Sequence, residues 1–253
     1  MRFETLAIAR SGPVAEIRLN RAARGNPIDA LFLAELAGAT AQIHDDPSVM
    51  VVLLTADGAC FSSGRAPDES ATAAPDPDAA LPFRCLELMA QPVIAVIEGD
   101  ASGAGLELAL ACDIRIAAED ALLALPDVAL GHMPSAGATQ RLPRLVGRAK
   151  AAEMILLGEP LSGAVAVAWG LVNHIAPRGE VRAVAERLAA TVASRGPLAV
   201  RYAKEAMLRG LDMPLDQALR YETDLTVILQ TTADRAEGVR AFLEKRPPKF
   251  EGR

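Results

Sequence analysis

The sequence predicts an α/β protein with a helical appendix. Three observations carry that reading. Two apolar runs, 49–54 and 93–97, are continuous rather than alternating, as in parallel strands covered on both faces. Strand–strand–helix units recur through the first two thirds of the chain. Beyond Pro197 the pattern is helix alone, over 198–209, 214–230 and 232–244.

Taken in order, residues 14–20 alternate. Ala15, Ile17 and Leu19 share one face, and Glu16, Arg18 and Asn20 the other, which describes a half-buried strand. With 3–9 it forms an antiparallel hairpin across Ser11-Gly12-Pro13. A helix is expected over 29–44, capped by Asp29 and carrying an apolar stripe of Phe32, Leu33, Leu36 and Ile43. The strand at 49–54 runs into a glycine- and serine-bearing loop, 56–69. Residues 70–80, rich in Ala, Pro and Asp without an apolar period, read as a mobile surface loop. A short helix follows at 81–89, the second buried strand at 93–97, and a glycine-rich turn at 99–105. A helix then begins near Ala104 and runs to Cys112. Short strands are expected at 114–117, 121–125 and 171–175, and helices at 137–146, 149–157, 163–169 and 180–193.

Composition narrows the function. A chain of 253 residues that is 51% hydrophobic can bury a large core. It has no long uncharged apolar run, so no membrane partner is expected, and no secretory leader pattern at its start. The three cysteines, Cys60, Cys85 and Cys112, are odd in number and widely spaced, which points to the reducing cytoplasm rather than a disulfide framework. A net charge of −6 and 4% aromatic content argue against nucleic acid as a partner. None of His44, His132 and His174 carries a motif, and no metal is expected.

The turn Gly99-Asp100-Ala101-Ser102-Gly103-Ala104-Gly105-Leu106-Glu107 joins a buried strand to a helix, which aims free backbone N–H groups at one point. As a dinucleotide fingerprint it fails, because Leu108 occupies the third glycine position. As a serine elbow it fails too, since Ala101 and Asp100 precede Ser102 without the required glycine. An oxyanion hole for a thioester and a plain tight turn both stay open. An oxyanion hole needs a second N–H from another loop, and Phe61-Ser62-Ser63-Gly64-Arg65, after the other buried strand, is a candidate source.

With that pair of loops in view, the chain resembles the crotonase superfamily, the enoyl-CoA hydratase/isomerase family. The resemblance rests on Phe61 to Arg65, on Gly103-Ala104-Gly105-Leu106-Glu107-Leu108-Ala109 ending in Cys112-Asp113, and most specifically on the stretch from Pro126-Asp127 through His132-Met133-Pro134 to Arg144. Asn20-Arg21 to Asn26, Ala168-Trp169-Gly170-Leu171-Val172 and Phe242-Leu243-Glu244-Lys245-Arg246 extend it over nearly the whole chain, in order.

The resemblance implies a spiral of ββα units holding an acyl-CoA site, 1–196, and a C-terminal helical segment for trimer contacts, 197–253. The expected assembly is a homotrimer or a dimer of trimers. It implies that the backbone N–H groups of Arg65 and Ala104 form the oxyanion hole, and that Glu107 and Asp127 are the catalytic acid/base pair. For coenzyme A binding it points to Ala23, Arg24, Gly64, Ala66, Asp68 and Gly103, with Lys245 and Lys249 from the same or a neighbouring subunit. Coenzyme A is part of the substrate, and no other cofactor is expected. The expected reaction is hydration of a 2-enoyl-CoA. Enoyl-CoA isomerisation or another reaction of the same class is the alternative, and a NAD-binding domain or a non-catalytic acyl-CoA-binding protein are rivals from other classes.

Four departures bear on the pocket. Ala104 stands where glycine is common. Arg65 is far larger than the usual alanine and is followed by Ala66 in place of aspartate. Asp127 replaces glutamate and is one methylene shorter. His132 occupies a position that is usually small or apolar, as a possible third polar group in the pocket.

Overall fold

The computed structural model describes residues 3–66 and 83–253. The surface loop expected at 70–80 and the candidate residue Asp68 lie outside them. The chain opens with β1 (Leu6–Ser11) and β2 (Val14–Leu19), the expected antiparallel hairpin, with its first strand at 6–11 rather than 3–9 and Ser11 opposite Val14. The helix α1 (Ala30–His44) follows. Its N-cap is Asp29, whose side chain accepts from the Phe32 N–H, and it buries Phe32, Leu36 and Ile43.

Three strand pairs then come in succession: β3 (Val51–Ala56) with β4 (Cys60–Ser62) and the single-turn α2 (Arg84–Glu87); β5 (Val93–Ile97) with β6 (Asp100–Ser102) and α3 (Ala104–Leu110); β7 (Ile114–Ala118) with β8 (Leu122–Ala124), leading to α4 (Ala138–Val146) and α5 (Arg148–Leu157). The first strand of each pair joins one sheet and the second joins another. A six-stranded sheet runs β1-β2-β3-β5-β7 and is closed by β10 (His174–Ala176). A four-stranded sheet runs β4-β6-β8 and is closed by β9 (Leu161–Ser162). Between those closing strands lies α6 (Gly163–Trp169), and after them come α7 (Val181–Ala193), α8 (Pro197–Gly210), α9 (Leu215–Gln230) and α10 (Ala233–Leu243). This is the expected α/β spiral of ββα units.

Burial explains the continuous apolar runs. One face of the large sheet presents Val52, Leu54 and Ala95 to the main core with Leu106 and Leu108 of α3. The opposite face presents Val51, Leu53, Ile94 and Val96 to Val181, Ala185 and Ala189 of α7. With both faces covered, alternation is not needed. The same helix corrects one expectation. Glu16, assigned to the solvent face of its strand, is buried, accepts from Thr55 Oγ1 at 2.7 Å and is met by both terminal nitrogens of Arg182 at 3.0 Å.

A second correction concerns β10, which begins at His174 rather than Leu171. Gly170 closes α6, and Leu171 and Val172 are buried in the turn that follows. The C-terminal helices are anchored to the sheet by buried Lys204 of α8, whose Nζ donates to Asp113 Oδ2 at 2.6 Å and to the Gln91 carbonyl at 3.0 Å. No described helix is long and apolar enough to cross a membrane.

Candidate functional site

Strands β4, β6 and β8 run parallel, with Ser62 beside Ala101 and Ser102 beside Ala124. Their C-terminal ends therefore lie side by side, and each empties directly into a segment singled out from the sequence. In α/β sheets this edge is where ligands bind.

The first segment is stitched to the loop before α1. Buried Asn26 donates from Nδ2 to the carbonyls of Asp57 at 2.8 Å and Cys60 at 3.2 Å. Ser62 Oγ donates to the Asn26 carbonyl at 2.8 Å and accepts from the Gly64 N–H at 3.2 Å. Ile28 then forms a parallel bridge to Arg65: its N–H donates to Gly64 O at 2.8 Å, and its carbonyl accepts from the Ala66 N–H at 3.1 Å. Such a bridge uses the groups on either side of Arg65. The N–H of Arg65 itself faces the other way and donates to no acceptor among the described residues.

The second free donor is Ala104, the first residue of α3, where an N–H has no intrahelical acceptor. Two glycines bring these segments together. Gly64 has φ of +91°, and a Cβ there would lie 2.7 Å from Ser102 O and 3.5 Å from Ala104 N. A Cβ on Gly105 would meet Ser62 Cβ at 2.6 Å, Ser62 O at 2.7 Å and Ser62 Oγ at 2.8 Å. With any larger residue at these positions, the segments that carry the two N–H groups would be pushed apart.

Glu107, one turn along α3, is 1% exposed. Its Oε1 accepts from the N–H groups of Ala136 at 2.9 Å and Ala138 at 2.8 Å, on either side of Gly137 at the start of α4. Burial pushes its carboxyl above the ordinary range. The Ala138 and Ala136 amides oppose that rise, the neighbouring charge of Asp127 adds to it, and Arg65 counters it. Asp127 sits in the 3-10 turn Pro126–Leu130 directly after β8. Its Oδ2 is buried and has no hydrogen-bond partner among the described residues. That oxygen would lie 3.8 Å from a Cβ built on Gly103. The Arg65 side chain reaches the same 126–138 segment, with Nη2 donating to Ser135 Oγ at 2.6 Å.

The sequence reading thus finds Arg65, Ala104, Glu107, Asp127, Gly64 and Gly103 together. It missed the Ala136 and Ala138 amides, Ser135, and Arg141, which pairs with Glu87 and donates from Nη1 to the Ala136 carbonyl at 2.7 Å. The only signal for them was the glycine-bearing run Pro134 to Gly137 ahead of a helix. His132 is exposed. Its backbone N–H donates to the Asp127 carbonyl at 2.9 Å, and its imidazole bonds to no described residue. Ala66 is buried beside Arg65, while Ala23 and Arg24 are exposed on the 3-10 turn Ala22–Arg24. Lys245 and Lys249 belong to the tail, where Lys249 lines a cavity with Asp234, Glu237 and Arg240. Among the described residues no hydrogen bond or ion pair links either lysine to the strand-end loops.

Two amides without an acceptor among the described residues, beside two carboxyl groups at the carboxyl edge of a parallel sheet, suit an enzyme that stabilises an oxyanion while moving a proton. Comparison with known proteins agrees. The family model described as enoyl-CoA hydratase/isomerase matches residues 9–253, and the chain belongs to that family. It is 37% identical to the 2,3-dehydroadipyl-CoA hydratase of Escherichia coli K12, over 98% of this chain and 99% of that one. It is 35% identical to the crotonyl-CoA hydratase of Syntrophomonas wolfei, over 99% of each chain. A crystal structure of the enoyl-CoA hydratase from Bacillus anthracis superposes with a TM-score of 0.94 at 37% identity, covering 99% of this chain and all of the other.

Proposed function

We propose that this site adds water across the α,β double bond of a 2-enoyl-CoA thioester. The observation that carries the reading is the buried Oδ2 of Asp127 beside buried Glu107, next to two N–H donors; among the described residues neither that oxygen nor either donor has a partner. The thioester oxygen accepts from Arg65 N–H and Ala104 N–H, and these bonds strengthen as the oxygen gains charge. Removing one such donor typically costs about 100- to 1000-fold. A water held between the carboxyl groups gives its proton to the ionised one while its oxygen bonds to the β-carbon. The electron pair of the double bond moves toward the thioester, and the resulting enolate takes a proton at the α-carbon from the protonated carboxyl. The sum is one water added and no net change in the enzyme's protonation. The relatives described above, named as hydratases of CoA thioesters, support the same reading.

For coenzyme A, the reading assigns Ala23, Arg24 and Ala66 to the nucleotide side, with Lys245 and Lys249 reaching a site of this or a neighbouring copy. Residues 1–196 form the catalytic core and 197–253 the oligomerisation segment of a trimer. In support of that division, Met207, Leu215, Phe242 and Leu243 on the last helices, and Leu211 just after α8, are each at least 66% exposed in the single chain. The three free thiols are consistent with a cytoplasmic setting. Incubation with a panel of 2-enoyl-CoA and 3-enoyl-CoA thioesters, with products identified by mass spectrometry, tests the reading. A product heavier by one water is expected from the 2-enoyl thioesters. A product of unchanged mass with a moved double bond would replace hydration by isomerisation.

A further inference from the structure

We propose that Arg65 is a specificity residue: its guanidinium receives a carboxylate at the far end of the acyl chain, so that preferred substrates are 2-enoyl-CoA thioesters of dicarboxylic acids. The proposal rests on the hydratase reading and refines its substrate class.

Its starting point is where the side chain begins. The backbone N–H of Arg65 is one of the two free donors, so its Cα lies where the thioester carbonyl docks, and the side chain leaves from that place. The bond from Nη2 to Ser135 Oγ, at 2.6 Å across 70 positions of sequence, fixes where the side chain goes. It crosses from the β4 loop to the segment that carries Asp127 and the two amides holding Glu107. Its charge is felt at Glu107. Arg65 is exposed, so its guanidinium stands on the open side of this segment, within reach of an acyl chain whose double bond sits between Glu107 and Asp127.

Among the described residues the group is also uncommitted. Arg10, Arg21, Arg141 and Arg182 each pair with a carboxylate. Among the described residues Arg65 pairs with none and, of the five N–H donors of its guanidinium, uses one, on a neutral hydroxyl. A planar fork with free donors matches a carboxylate in geometry as well as charge. A methyl-ended chain lying against it would strip water from a charge and return nothing. A carboxylate-ended chain would replace that water with charge-assisted bonds, and the arginine would offset repulsion from Asp127.

The test compares two thioesters of equal length, hex-2-enoyl-CoA and its analogue with a carboxylate at the far carbon. Both are measured on the same samples of the wild-type protein, Arg65→Ala and Arg65→Lys. The readout is the ratio of the two kcat/KM values, which is insensitive to loss of folded enzyme or to a change in the shared chemical step. The wild type is expected to favour the carboxylate by about 10- to 100-fold, the range of a charge-assisted hydrogen bond, with the difference mainly in KM. The ratio should fall to one or below in Arg65→Ala and keep part of its value in Arg65→Lys. Equal ratios in the wild type and Arg65→Ala, or a wild-type preference for the methyl-ended chain, would overturn the proposal. Hydration of neither thioester by the wild type would remove the hydratase reading, and this proposal with it.

Discussion

Replacing Gly105 by alanine isolates the contact between the two donor segments. The added Cβ would lie 2.6 Å from Ser62 Cβ and 2.7 Å from Ser62 O, against 3.4 Å or more for ordinary contact. The start of α3 and the end of β4 must part by about 0.8 Å, the difference between those distances. The obstacle is backbone and a short, hydrogen-bonded side chain, neither of which can swing away. Misplacement of about 1 Å costs on the order of 100-fold in rate, so kcat should fall by roughly 10- to 100-fold. Stability should change far less. Overpacking costs about 1–3 kcal/mol, and alanine in a helix returns up to about 1 kcal/mol relative to glycine. Gly210, where a Cβ meets only Ala218 Cβ at 3.5 Å, is the matched control, and Gly210→Ala should leave kcat intact. Steady-state hydration of crotonyl-CoA with parallel thermal melts separates the two effects. Wild-type kcat in Gly105→Ala would refute the claim that close approach of these segments sets the donor geometry.

Glu107→Gln should make the protein more stable at pH 8. A carboxyl whose folded pKa is raised binds more protons folded than unfolded, so its ionisation opposes folding, fully above the folded pKa and not at all well below the ordinary value of 4.5. Glutamine keeps an oxygen for the Ala136 and Ala138 amides. The gain in Tm, about 2–4 °C per kcal/mol relieved, should shrink as pH falls through the carboxyl range, and a gain independent of pH would contradict the assignment. Lys204→Ala should destabilise by about 1–3 kcal/mol, the cost of leaving the partly buried Asp113 carboxylate and the Gln91 carbonyl without this donor, seen as a lower urea midpoint. An unchanged midpoint would show that α8 is held by other contacts. Cys112 is fully buried and its thiol is pushed up to about 12, so a thiol reagent at pH 8 should modify it only after unfolding; rapid labelling of all three cysteines in the native protein would contradict that burial.

Much of the fold was readable because its signals are local. Val51 to Leu54 and Val93 to Ile97 are apolar at every position because both faces of their sheet are covered. Asp29 caps α1 by the chemistry that its type suggests. Strands β4 and β6 were not readable. Each has three residues, too few for a period, and their glycine and serine neighbours read as loop. Glu16 misled because the helix that covers it lies more than 160 positions further along the chain. In the site, Glu107 was legible from the leucines and alanines around it, an unusual place for a charge. Its acceptor role toward Ala136 and Ala138 was not, since backbone donors leave no mark in side-chain identity. The same holds for the Arg65–Ser135 bond, whose partners are brought together only by the parallel stacking of β4, β6 and β8.

The paired-carboxyl mechanism is tested most directly by crotonyl-CoA hydration in Glu107→Gln and Asp127→Asn, with butyryl-CoA binding measured by calorimetry on the same samples. Binding rests on the nucleotide contacts and the two backbone donors, which neither substitution removes. Each variant should therefore bind butyryl-CoA within a few-fold of wild type while hydration falls by about 100- to 10,000-fold, the usual share of acid–base catalysis. Wild-type hydration by either variant would contradict the mechanism.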